Sequence, residues 1–123
     1  MDKVKLLHCA DLHLGSEISN IPERSGERRR EILRTFRQIT EICMKEHVDI
    51  LLIAGDLFEG ANRSSQVTGV VQEYLSMIRS RVFIAPGNHD YLALDSPYLE
   101  PGWPDHVTIF KGKGQRVDLP DLN

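Results

Sequence analysis

Three short polar clusters in this chain gather residue types that bind divalent cations: Asp11-Leu12-His13-Leu14-Gly15, Gly55-Asp56-Leu57-Phe58-Glu59 and Gly87-Asn88-His89-Asp90. Asp11 and His13 are two apart, so an extended backbone sends both side chains to one side, where a carboxylate oxygen and an imidazole nitrogen can grip one ion. Asp56 follows a glycine, which leaves room for a close approach, and each of its two oxygens can bind a cation. The same aspartate reads equally well as a turn former or helix cap. Asn88 offers a neutral carbonyl oxygen, although Gly87-Asn88 is also ordinary turn composition. The adjoining His89-Asp90 pair points further, because an aspartate that orients a histidine and raises its pKa equips it to give a proton to a leaving alkoxide. A set of Asp, Asn and His donors is oxygen and nitrogen rather than thiolate, and fits manganese, iron or zinc better than a cysteine-held structural zinc. Two such ions roughly 3.5–4 Å apart, with a bridging carboxylate and a nearby histidine, hydrolyse phosphate esters.

Each cluster directly follows a stretch that reads as a strand. Val4 to Cys9 is short and largely apolar, Asp49 to Ala54 is a continuous apolar run stopped by Gly55, and Val82 to Ala85 is stopped by Pro86-Gly87. The second run, with breakers on both sides, predicts a strand covered on both faces. Between the strands the apolar spacing turns helical. Ile32, Leu33, Phe36, Ile39, Ile42 and Cys43 form a stripe in a helix from about Ser25 to His47, and Val67, Val70, Val71, Tyr74, Leu75 and Ile78 form one near Ser64 to Ser80. The order βαβαβ predicts an α/β fold with a mostly parallel sheet, helices on its faces and right-handed crossovers. Ligands of such sheets bind at the carboxyl ends of the strands, which is where all three clusters fall. Strand parity puts His8 on the side away from the cluster, as a packed histidine. Farther on, Ser96 to Pro104 is turn-rich, with room for one helical turn. Val107 to Phe110 reads as a strand, and Gly112 and Gly114 suggest a hairpin into Gln115-Arg116-Val117.

The composition narrows the setting. The chain has 123 residues, 41% hydrophobic and 27% charged, with net charge −3, which suits one compact domain or part of a larger one. Apolar runs fall well short of the ~20 residues of a membrane span, and the short apolar stretch after Met1 is not a signal peptide. Two cysteines, Cys9 and Cys43, make no disulfide framework, so a reduced cytoplasmic location is expected. The net charge gives no general attraction to nucleic acid. Arg24, Arg28, Arg29, Arg30, Arg34 and Arg37 on the first helix, and Lys111, Lys113 and Arg116 later, read first as solvated charges partly paired with neighbouring acids. Tyr98 and Trp103 can stack on a base, though packing over the sheet edge is their commoner use. His47 suits the end of the first helix, where a cation favours the dipole.

Taken together and in this order after successive strands, the three clusters resemble the first three motifs of the calcineurin-like metallophosphoesterase superfamily. Leu-Phe after Asp56 and Leu-Gly after His13 are similar to the SbcD-type DNA repair nuclease branch. The likeness covers about residues 4 to 110 and implies half of an α/β sandwich. By position it implies that Asp11, His13 and Asp56 hold a first metal, that Asp56 and Asn88 hold a second, and that His89, with Asp90 beside it, is catalytic. It further implies two divalent ions, manganese as the usual one, DNA as substrate and an SbcC-type coiled-coil ATPase as partner. A cyclic-nucleotide phosphodiesterase of the same superfamily shares nearly identical first motifs, and a catalytically silent binding module is the alternative from another class.

The superfamily completes its site with later histidines, including a Gly-His-x-His pair, which residues 1–123 do not contain. His106 reads as a surface histidine near a strand start rather than a ligand. Residues 1–123 therefore read as the truncated N-terminal part of a phosphoesterase domain, expected to hold metal weakly and to have little nuclease activity alone. An open sheet edge and half a core predict self-association or domain swapping.

Overall fold

A computed structural model describes residues 3–14, 22–58, 65–87 and 94–122, with side chains in the two helices from Leu33 and from Val67 onward. Four strands, β1 (Leu6–Cys9), β2 (Ile50–Ala54), β3 (Arg81–Ala85) and β4 (Val107–Ile109), form one sheet in the order β1-β2-β3-β4. Helix α1 (Pro22–Lys45) joins β1 to β2, and α2 (Ser65–Ser76) joins β2 to β3. All three pairings are parallel, so the chain has the expected α/β fold. α1 starts at Pro22, three residues before the expected Ser25, because proline's fixed φ suits the first helical turn.

The register sorts the sheet into two unlike faces. Leu7, Leu51, Val82 and Val107 stand in one row, and Cys9, Ile53, Ile84 and Ile109 in a second row on the same face. Both rows belong to the core or pack against it, together with Phe36 and Cys43 of α1 and Val67, Val71 and Leu75 of α2. The rings of Phe36 and Tyr74 lie 6.3 Å apart where the helices meet. Both helices thus share one face, as same-handed crossovers between successive neighbouring strands require.

The other face is sparser. Leu6 is 57% exposed and His8 is exposed, Leu52 is half-buried, and Phe83 is sheltered by stacking on Phe110 with ring centres 5.9 Å apart. The expectation that β2 is covered on both faces is therefore corrected: among the described residues only its Leu51 and Ile53 side is sealed. His8 is corrected with it. Parity did place it away from the site, but that side lacks a packing layer.

Among the described residues the third crossover carries a 3-10 turn and no α-helix. The turn (Pro97–Leu99) is capped by Ser96, whose hydroxyl accepts from the Tyr98 backbone N–H at 3.2 Å. Tyr98 and Trp103 pack their rings on Phe58, at 5.3 and 6.3 Å, so both aromatics serve packing. β4 runs parallel beside β3, and residues 115–117 form no strand, which corrects the expected hairpin. Instead the Arg116 guanidinium pairs locally with Asp118 at 2.9 Å. His106 is half-buried, its Nε2 2.8 Å from the Leu75 carbonyl oxygen, and so fastens the start of β4 to α2 rather than lying free on the surface.

Candidate metal centre

Past Cys9 and Ala54 the chain leaves the regular ladder without leaving the sheet's edge. The Asp11 backbone N–H donates to the Gly55 carbonyl at 3.1 Å, His13 N–H to Asp56 at 2.9 Å and Leu14 N–H to Leu57 at 2.7 Å. Leu14 and Phe58 then pair as an isolated parallel bridge, and both are essentially fully buried. The two post-strand segments are therefore laced together and anchored by apolar side chains on their far side. On the β3 side, the Gly55 N–H donates to the Ala85 carbonyl at 2.8 Å.

Within this lacing the backbone takes an unusual form. Asp11, His13 and Asp56 have φ of 56°, 50° and 50°, in the left-handed region that costs an L-residue roughly 1–2 kcal/mol, less for aspartate. Among the described non-glycine residues only His47 shares this conformation, and it closes a helix. Strain concentrated at one place marks sites where side-chain direction matters more than backbone comfort. The kinks also explain how Asp11 and His13 come together. The two-residue spacing does bring them to one side, but through two left-handed residues and not through the extended strand expected from the spacing.

The result is a compact donor set. One ligand atom from each of Asp11, His13 and Asp56 lies within 4.8 Å of the others, with Asp11 exposed and the other two half-buried. Two carboxylates at such range repel by about 1 kcal/mol in water and by several-fold more near a protein surface. A cation between them reverses the sign of that term. The site thus fits a divalent ion by donor chemistry, oxygen and nitrogen, and by charge. Asn88, His89 and Asp90 lie outside the described residues, as do Gly15 and Glu59. Gly87, the first residue of the third cluster, is described and lies directly against Asp56, which brings the ends of all three strands to one place.

A four-stranded parallel sheet with a carboxylate and imidazole cluster at its carboxyl edge defines a class. Residues 4–121 match the family model of the calcineurin-like phosphoesterases, and the chain belongs to that family. It is 37% identical over 111 residues to the uncharacterized metallophosphoesterase YhaO of Bacillus subtilis, covering 85% of this chain and 27% of that protein. It is 31% identical over 90 residues to the DNA double-strand break repair protein Mre11 of Saccharolobus solfataricus, covering 71% and 23%. With the D component of the nuclease SbcCD of Staphylococcus epidermidis it shares 33% over 91 residues, covering 71% and 23%. The likeness to the SbcD-type branch, read from the motifs, therefore holds. The chain spans about a quarter of the length of these curated relatives.

Sequence reasoning missed two features of this centre. The left-handed conformations carry no clear signal in Asp-Leu-His. The pairing of Leu14 with Phe58 had one, since both are apolar members of their clusters and carry the branch likeness, but nothing in the sequence joins one to the other. No described helix is long and apolar enough to cross a membrane.

Proposed function

We propose that this chain supplies the first metal ligands of a phosphodiesterase that cuts DNA, of the SbcD type, with manganese as the working ion and an SbcC-type coiled-coil ATPase as partner. The observation that carries the reading is the convergence of Asp11, His13 and Asp56 within 4.8 Å at the carboxyl edge of the sheet. The names of the relatives, a break-repair protein and a nuclease component, favour DNA over a cyclic nucleotide.

In this reading Asp11, His13 and Asp56 would hold one ion, and Asp56 with Asn88 would hold a second. Divalent ions there supply Lewis acidity, which acidifies water and neutralises phosphoryl oxygens. The chain's residues do the rest. The left-handed backbone at Asp11 and His13 aims both donors at one point before any substrate arrives, so little reorganisation is left for the reaction. His89 donates a proton to the departing oxygen, and Asp90 holds its ring in place. Residues 1–123 read as the N-terminal part of the domain, and two carboxylates with one imidazole form a thin donor set. Alone, these residues bind the ion weakly and cut little.

The test uses the protein encoded by the complete gene. Mn2+ binding is measured by calorimetry, and hydrolysis of duplex DNA ends is compared with that of a cyclic nucleotide. Saturable Mn2+ uptake, its loss in Asp56→Asn and metal-dependent attack on DNA are the expected results. Uptake unchanged by Asp56→Asn sinks the site, whereas activity on the cyclic nucleotide alone sinks the substrate. Robust hydrolysis of DNA by residues 1–123 alone overturns the claim that they are inactive by themselves.

A further inference from the structure

Gly87 lies two residues past the end of β3, and its backbone is not in the left-handed region. A turn therefore does not require glycine at this position. Space does. A Cβ built on Gly87 collides with Asp56 Oδ1, comes within 2.5 Å of the Asp56 backbone nitrogen and within 2.9 Å of Asp56 Cγ. Turning the Asp56 side chain relieves the first and third contacts but not the second, because the nitrogen belongs to the backbone. That backbone is itself held in place. The Asp56 carbonyl accepts from His13 N–H at 2.9 Å, and the preceding Gly55 N–H donates to Ala85 at 2.8 Å. Gly55 meets Gly87 as well, since a Cβ on Gly55 would stand 3.6 Å from the Gly87 Cα. At this point β2 and β3 approach as bare backbones.

We infer that Gly87 is a positioning residue: its missing side chain sets where the Asp56 carboxylate sits, and through the Asp56–His13 link it sets the geometry of the whole donor set. This rests on the metal-centre reading given above. A methyl group at 87 must either push the carboxylate off its place or part the ends of β2 and β3, and both disturb the cluster.

The test compares four forms of the full-length protein: wild type, Gly87→Ala, Asp56→Asn and Val71→Ala. Val71 is fully buried in α2, an element that carries none of the three donors, so Val71→Ala gives a loss of thermal stability without replacing a ligand or its positioning residue. Gly87→Ala is expected to weaken Mn2+ binding in calorimetry by roughly 10- to 100-fold, the range lost when a group that orients a ligand is changed. Val71→Ala should keep wild-type affinity despite its lower melting temperature. If Gly87→Ala binds Mn2+ as well as Val71→Ala does, Gly87 is merely structural and the inference fails while the metal centre stands. If wild type takes up no Mn2+, the metal-centre reading fails and takes the inference with it. Should Gly87→Ala not fold, the double variant Gly87→Ala/Asp56→Gly removes the two side-chain collisions and leaves only the backbone one, so it should regain part of the native circular-dichroism signal. A double variant as unfolded as Gly87→Ala places the whole clash on the backbone and overturns the inference that Gly87 positions the Asp56 carboxylate.

Discussion

Asp11 and His13 were legible as a pair from their spacing, and Asp56 from its place after a strand and a glycine. The reason they meet was not legible, because left-handed φ values are imposed by the Asp11–Gly55 and His13–Asp56 hydrogen bonds between distant parts of the chain. A second residue-scale consequence concerns Cys9. Burial, with a smaller contribution from Cys43, pushes its thiol from an ordinary 9.0 up to about 11. The folded protein thus keeps this proton at pH values where the unfolded chain releases it. The stability tied to Cys9 is fully present below pH 9 and is lost as pH rises through about 11. Denaturant midpoints measured from pH 8 to 11 should fall less steeply in Cys9→Ala than in wild type. Parallel slopes would show that the thiol does not matter.

Apart from the strand expected at 115–117, the strands and helices were read correctly in type and order, with ends displaced by a few residues where caps decide. α1 shows why. It stops at Lys45, and His47 then takes φ 52° while the Val48 N–H reaches back to the Cys43 carbonyl at 3.0 Å. This is the Schellman closure, with Val48 and Cys43 both buried beside it. The sequence suggested His47 for its charge, whereas the structure uses it for its backbone. Replacing it by glycine removes the Cβ penalty, so His47→Gly should raise stability by about 1 kcal/mol in urea denaturation. A decrease would mean that the imidazole contributes more than the backbone costs. Phe58 is the opposite kind of residue, a buried ring that holds the post-β2 segment against Leu14, Tyr98 and Trp103. Phe58→Ala should cost roughly 3–5 kcal/mol and also weaken Mn2+ binding, since Leu57 and Asp56 lose their anchor. Unchanged binding in a destabilised variant would separate the anchor from the site.

At the scale of the molecule, among the described residues the sheet is open at β1 and β4, and one face carries Leu6, His8 and Leu52 with no described helix over them. Unpaired edges and exposed apolar side chains recruit further chains. Residues 1–123 alone should therefore self-associate in sedimentation velocity at micromolar concentration. Leu6→Lys, which charges the edge strand, should shift the distribution toward monomer. A clean monomer for the unmodified chain would contradict this. The uncovered face was hidden in the sequence because Ile50-Leu51-Leu52-Ile53 is apolar at every position. Only the register assigns Leu51 and Ile53 to the helices and leaves Leu52 on the other side.

The amino-acid sequence by itself determined the alternation of strands and helices, the parallel sheet and the family, because periodicity, breakers and short motifs are local and survive without partners. It also named Asp11, His13 and Asp56, whose types carry their chemistry with them. Tertiary structure alone decided that β4 joins β3 instead of folding into a hairpin, that both helices cover one face, and that Gly87 stands against the Asp56 carboxylate. Each of these depends on contacts between residues tens of positions apart, where steric fit and pairing energy, invisible to any local window, select the arrangement.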